Sequence, residues 1–237
     1  MKIFSMSAYG TNPRYIVGAK RQVELAQKFL PNWEIRIYTD NPSNFDFSQS
    51  NIKILLGPTT IHGMFWRFLP VFESPDNITV LRDSDSRITI REFNAINEWI
   101  SQDSRFHNIK DHHAHYEWPI MGGMWGYKGQ LPNLFWEKCL LYAHNNNEYT
   151  KDQMWLRDVV WPYVENSQCL HDIKTNTWFA HTRSMLTNPF DFCGNGYNEH
   201  DLPLYAPNLE LSQTAYTIAA NKFSFGQLKN ENTKLHI

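Results

Sequence analysis

NITVLRDSDSR, residues 77–87, carries a short apolar run, Ile78-Thr79-Val80-Leu81, straight into two aspartates one residue apart. Such a run reads as a buried parallel strand, and open α/β sheets collect their ligands outside the carboxyl ends of these strands. Asp83 and Asp85 are thereby expected at a site. Carboxylates at i and i+2 across a strand-to-loop turn can face one hard divalent cation, which can hold the diphosphate of a nucleotide. Asp-Ser-Asp-Ser is equally good turn chemistry, so the stretch alone leaves both readings open.

The surrounding composition narrows the choice. With 22 basic against 24 acidic residues in 237, no electrostatic footprint points to nucleic acid or an anionic membrane surface, and a small-molecule partner is expected. Cys139, Cys169 and Cys193 are odd in number and contain no Cys-x-x-Cys pair, which suits free thiols in a reducing compartment. No apolar run approaches the ~18 residues of a membrane span, and no signal peptide precedes the strand-like Lys2–Ser7. The expectation is a cytoplasmic protein with no integral membrane segment. Aromatics make up 15% of the chain, including nine Trp; their faces suit sugar rings or bases, or simply fill a core.

Outward from the aspartates, strands alternate with helices. Tyr15 to Leu30 shows helical spacing at Ala19, Val23, Ala26 and Leu30 until Pro31 stops it. Trp33–Tyr38 and Asn51–Leu56 read as strands, and Gly63–Phe72 as a short helix leading to the Ile78–Arg82 strand. This order implies an α/β fold with a mostly parallel sheet covered on both faces. Thr89 to Glu92 forms a capping box for a helix bearing Phe93, Ile96 and Ile100. Pro119–Lys128 reads as a strand with a bulge or close approach at Gly122-Gly123, where missing side chains would let backbone amides and Trp125 near a ligand. Phe135, Cys139, Tyr142 and Ala143 mark another helix, and Thr150 opens the next, which runs to Pro162 with Gln153 as a reciprocal cap. Tyr9 and Asp40, at the ends of the first two strands, are placed to bound a base and ribose. Arg67 either grips a phosphate through its fork of donors or braces the Asp pair. The His-rich segment Lys110–His115 lacks the helical His-Glu-x-x-His arrangement of a zinc hydrolase.

In order, Tyr15-x-x-Gly18-Ala19, Pro31-x-Trp33-Glu34-x-Arg36-x-Tyr38, Phe65-Trp66-Arg67-Phe68, Arg82-Asp83-Ser84-Asp85-Ser86-Arg87, Arg91-Glu92, Phe106-His107, Lys110-Asp111-His112, Met121–Gly126 and Asp152-Gln153 resemble GT-A-type glycosyltransferases of bacterial and viral surface-polysaccharide pathways. The likeness covers about residues 1 to 165. It implies a GT-A-like, Rossmann-like domain over 1–237: a nucleotide-binding half (1–88), a donor-sugar and acceptor half (89–200) and a C-terminal extension (201–237). It further implies a nucleotide-sugar donor, a glycan or glycolipid acceptor, and Mn²⁺ or Mg²⁺ on the Asp-x-Asp, with Asp85 ranked above Asp83 as ligand and His181, ahead of His200, as the third. Asp111 and His112 would lie over the donor sugar. If transfer inverts the anomeric carbon, Asp152 is the first choice of base and Asp111 the second.

Two rivals stand beside this reading. A haloacid-dehalogenase-like phosphotransferase also carries Asp-x-Asp after an apolar strand, its first Asp a nucleophile, though there the motif lies near the N-terminus and is followed by Thr or Val rather than Ser86. A non-catalytic carbohydrate- or nucleotide-binding protein would use the same aromatic cleft without transferring anything.

Overall fold

The computed structural model describes residues 1–144, 149–174 and 190–205. A seven-stranded sheet runs through them in the order β3-β2-β1-β4-β6-β5-β7. The strands are β1 (Lys2–Ser7), β2 (Glu34–Thr39), β3 (Ile52–Leu56), β4 (Ile78–Asp83), β5 (Phe106–Lys110), β6 (Met124–Lys128) and β7 (Gln168–Asp172). All neighbours are parallel except β6, which runs against both β4 and β5. This is the α/β architecture with a mostly parallel sheet expected from the sequence.

Helix α1 (Pro13–Phe29) follows β1 through a tight turn: Asn12 caps it by accepting from Arg14 N, and Pro13 presets its first turn. It begins two residues earlier than its apolar period suggested. Helix α2 (Ile90–Ile100) starts at Thr89, whose hydroxyl accepts from Glu92 N as a cap should. Ala19, Val23 and Ala26 of α1 and Ile96 and Trp99 of α2 cover one face of the sheet, against Phe4, Met6, Ile35 and Val80. On the other face Phe65, Phe68, Trp125, Trp155 and Leu156 pack against Leu81 and Phe106. Val80 and Leu81 point to opposite cores because successive strand residues alternate.

Several local expectations need correction. Gly63–Phe72 is a 3₁₀ run. The Pro119–Lys128 strand begins only at Met124, so Gly122-Gly123 lies in the turn ahead of it. Thr150 does not cap: its φ is 87° and its side chain makes no cap bond. Helix α3 (Asn133–Ala143) lies ahead of Thr150, and α4 (Lys151–Trp155) after it passes through a π-helical segment into α5 (Trp161–Val164). Glu92 is more than a cap, being the buried partner of Arg82 inside the sheet. The three cysteines are buried and free, and no described helix is long and apolar enough to cross a membrane.

Candidate active-site cleft

The reversed strand sets the geometry. Because β6 runs against β4, its first residue Met124 pairs with Arg82, near β4's last residue. The Gly122-Gly123 turn is therefore delivered to the end of β4. A Cβ on Gly123 would lie 2.1 Å from Asp83 Oδ2 and 2.8 Å from Asp83 N, a closeness only glycine permits.

Around this point Tyr9, Arg67, Asp83, Asp85, His112, Gly122, Asp152 and Gln153 line one cleft of about 180 Å³. A larger and more open groove of about 890 Å³ lies between α1 and α2, but it gathers none of these carboxylates.

Each member is held by an identifiable element. Ser7 Oγ accepts from Arg67 N and Ser5 Oγ donates to Arg67 O, both at 2.8 Å, so β1 fixes the backbone that carries the arginine. The Arg67 guanidinium rests 5.2 Å from the Phe68 ring and bridges two carboxylates, donating from Nη1 to Asp83 and from Nη2 to Asp152 at 2.5 Å. Burial opposes its charge, yet Asp83 and Asp152 hold its pKa above the usual value. The loop beyond Asp83 is fastened by α1, where Gln22 donates to Ser86 Oγ at 2.9 Å and accepts from Ile88 N at 2.7 Å. From the C-terminal side Tyr197 N donates to Asp85 O at 2.9 Å.

The carboxylates are not ordinary surface groups. Burial first, then the Asp83 charge, raises the pKa of Asp85, with Arg14 pulling it down. Burial likewise raises Asp152, opposed by Arg67 and reinforced by Asp83. Tyr9 is pushed up to about 12 by burial, its ring set edge-on to His62 and Trp66. His112 stacks on Phe192 with centroids 4.3 Å apart. Gln153 Oε1 is buried with no donor among the described residues, on a residue that lines the cleft.

Other expected site residues lie elsewhere. Asp111 is 1% exposed, accepting from Arg91 Nη2 at 2.6 Å and Cys193 N at 2.9 Å, and is not among the residues lining the cleft. Trp125 is wholly buried between Phe68 and Phe106; its Nε1 donates to Gly122 O at 3.2 Å, supporting the glycine turn from beneath. Asp40 sits on the surface and accepts from Gly10 N at 2.9 Å, pinning the β1–α1 turn where Gly10 has φ +74°. His181 lies outside the described residues, and His200 is exposed beside Glu199. Among the described residues no group of three or more His, Cys, Asp or Glu is gathered for a metal.

Sequence reading missed Arg14, Tyr15, Tyr149, Phe192 and Tyr205, all of which line the cleft. Arg14, ion-paired with Asp85, had a legible signal: Asn12-Pro13 is a helix start directly after a strand, which puts Arg14 in the first turn. Phe192 and Tyr205 come from irregular backbone with no periodic signal.

No protein-family model and no curated protein matches the chain. Similar solved structures include a glycosyltransferase involved in glycosylation of the major capsid of PBCV-1, at 14% identity over 73% of this chain and 82% of that one, TM-score 0.43. The galactosyltransferase LgtC with donor and acceptor sugar analogues is similar at 13% identity over 72% and 73%, TM-score 0.40. The Francisella tularensis 2-C-methyl-D-erythritol 4-phosphate cytidylyltransferase is similar at 14% over 72% and 89%, TM-score 0.41.

Proposed function

We propose that this chain is a glycosyltransferase that moves a sugar from a nucleotide-sugar donor to a glycan or glycolipid acceptor, with Mn²⁺ or Mg²⁺ on the Asp-x-Asp pair. The observation that carries this is the convergence of Asp83, Asp85 and Asp152 with Arg14 and Arg67 on one cleft at the end of β4. The proposal keeps the division into a nucleotide half (1–88), a donor-sugar and acceptor half (89–200) and an extension (201–237).

The donor set fits the cation. Small hard cations are often held by one or two carboxylates together with substrate phosphates, so two aspartates suffice without a third protein ligand. Bound there, the cation would neutralise charge on the departing diphosphate. The rest belongs to the chain. Arg67 holds Asp83 and Asp152 at fixed positions. Gln153 Oε1 and His112 offer hydrogen bonds to sugar hydroxyls. Tyr15, Tyr149 and Tyr205 supply aromatic faces at the cleft wall for a base or sugar ring. In an inverting reaction Asp152 takes the proton from the acceptor hydroxyl, and its raised pKa brings its basicity closer to neutral pH.

A thermal-shift panel of UDP-, GDP-, CMP- and dTDP-sugars, with and without Mn²⁺, tests the reading, since a ligand bound only by the folded state raises its apparent stability. One donor should stabilise the protein in a Mn²⁺-dependent way, and Asp85→Ala should lose that shift and turnover while still folding. Undiminished turnover in that variant, or in wild type with excess chelator, sinks the metal assignment. Binding without hydrolysis or transfer would reduce the chain to a binding protein, and phosphate release from a generic phosphoester that Asp83→Asn abolishes would favour the phosphotransferase.

A further inference from the structure

The two arginines in the cleft are held in different ways. Arg67 is enclosed and committed to both Asp83 and Asp152; withdrawing it would leave Asp152 buried and unpaired and take Asp83's partner as well. Among the described residues Arg14 has a single carboxylate partner, Asp85, and 29% of its side chain stays exposed. Its Nε is buried with no acceptor among the described residues. The guanidinium lies 5.3 Å from the Tyr15 ring, and a Cβ on Gly196 would stand 3.2 Å from Nη2, so the room beside it depends on that glycine. The backbone beneath is fixed: a Cβ on Gly18 would come within 2.6 Å of Ser84 O, which shows how tightly α1 is seated on the Asp loop. Movement is therefore left to the Arg14 side chain rather than to its helix.

We propose that Arg14 is a displaceable counter-ion that neutralises Asp85 until a divalent cation takes over that carboxylate, and then turns its guanidinium to the diphosphate entering with the cation. This rests on the cation-dependent reading above and adds a coupling to it. A cation arriving alone competes with Arg14 for Asp85, and a diphosphate arriving alone finds Arg14 engaged. Each ligand removes the obstacle to the other, and such coupling is reciprocal in binding free energy. The fork of guanidinium donors suits a diphosphate, whereas a lysine would offer only a point charge.

The test uses the full chain, with Mn²⁺ alone and with inorganic pyrophosphate in excess Mn²⁺ as probes, read by EPR counting of bound Mn²⁺ and by equilibrium dialysis of pyrophosphate. Arg14→Gln should tighten Mn²⁺ alone by about tenfold and weaken pyrophosphate by about tenfold, the scale of one charge-assisted contact. Arg14→Lys keeps the competing charge and should stay near wild type for Mn²⁺ while still weakening pyrophosphate. Mn²⁺ affinity in Arg14→Gln that is unchanged or reduced overturns the proposal, as does unaltered pyrophosphate binding or a lysine variant that tightens Mn²⁺ as glutamine does. If the wild type binds both probes and the opposite shifts are missing, Arg14 alone is misassigned. If the wild type binds neither probe, the cation-dependent reading falls and the Arg14 proposal with it.

Discussion

At the scale of single residues, Asp152 separates a structural role from a catalytic one. Its carboxylate is enclosed, held by Arg67 at 2.5 Å and by Gln153 N at 2.9 Å. Asp152→Asn keeps the shape and removes the basicity. If Asp152 is the base, turnover should fall by about 10²–10⁴-fold, the usual weight of a positioned proton acceptor. Donor affinity should change little, and the product should show an inverted anomeric carbon by NMR. A retained configuration, or turnover near normal, would leave Asp152 as an anchor for Arg67. Much of this neighbourhood could be read from the chain, because Asp83, Asp85 and Gly122 take their meaning from strand ends and turns. Asp111 and Trp125 could not be placed the same way. A carboxylate bound to Arg91, twenty positions back, looks in sequence like one facing a sugar, and a tryptophan beside two glycines looks the same whether it lines a cleft or supports it.

At the scale of elements, α1 and the Asp loop act as one unit, and Gly18 is where they touch. Helix propensity alone says that Gly18→Ala stabilises by about 1 kcal/mol. Contact says the opposite, because the new methyl would meet the backbone of Ser84 and Asp85 at 2.6 and 2.9 Å. Overpacking should win, costing about 1–3 kcal/mol in urea unfolding; an increase in stability would show that the loop yields. The elements themselves were unevenly legible. Strands β1 to β4 and helices α1 and α2 carry apolar periods, but β5 and β7 read FHNIK and QCLHD. Polar side chains of the two strands bond each other, with His107 Nε2 2.9 Å from His171 Nδ1 and Asn108 Nδ2 donating to Gln168 Oε1 at 3.1 Å. Strands whose polar residues pair across the sheet lack the apolar run that announces a strand.

At the scale of the whole molecule, these histidines set an acid limit. Burial lowers His171 to about 4 and His115 to about 3, and drives His107 well below its ordinary value. The unfolded chain, with histidine near 6.5, therefore binds more protons than the folded one between about pH 4 and pH 6.5. Stability from this source is complete above about pH 6.5 and is lost as pH falls through that window, by up to about 1.4 kcal/mol per pH unit for each histidine. The raised carboxylates Asp85, Asp111 and Asp152 act in the opposite direction, favouring lower pH. A variant comparison isolates the histidine part: urea unfolding of His171→Gln across about pH 4.5–7.5 should show a more weakly rising or a falling slope than wild type. An identical slope would remove His171 from the account. The reversal of β6 reaches beyond the cleft, into the order in which the chain is made. Strand β4 is complete at Asp83, whereas its partner ends at Lys128. At about 5–20 residues per second of synthesis, the row of unpaired amides and carbonyls on Ile78–Asp83 waits seconds for its neighbour. An open apolar edge of that kind is a template for pairing with another chain. The strand that presents the Asp-x-Asp pair is thus one whose edge a nascent chain leaves open until β6 is made.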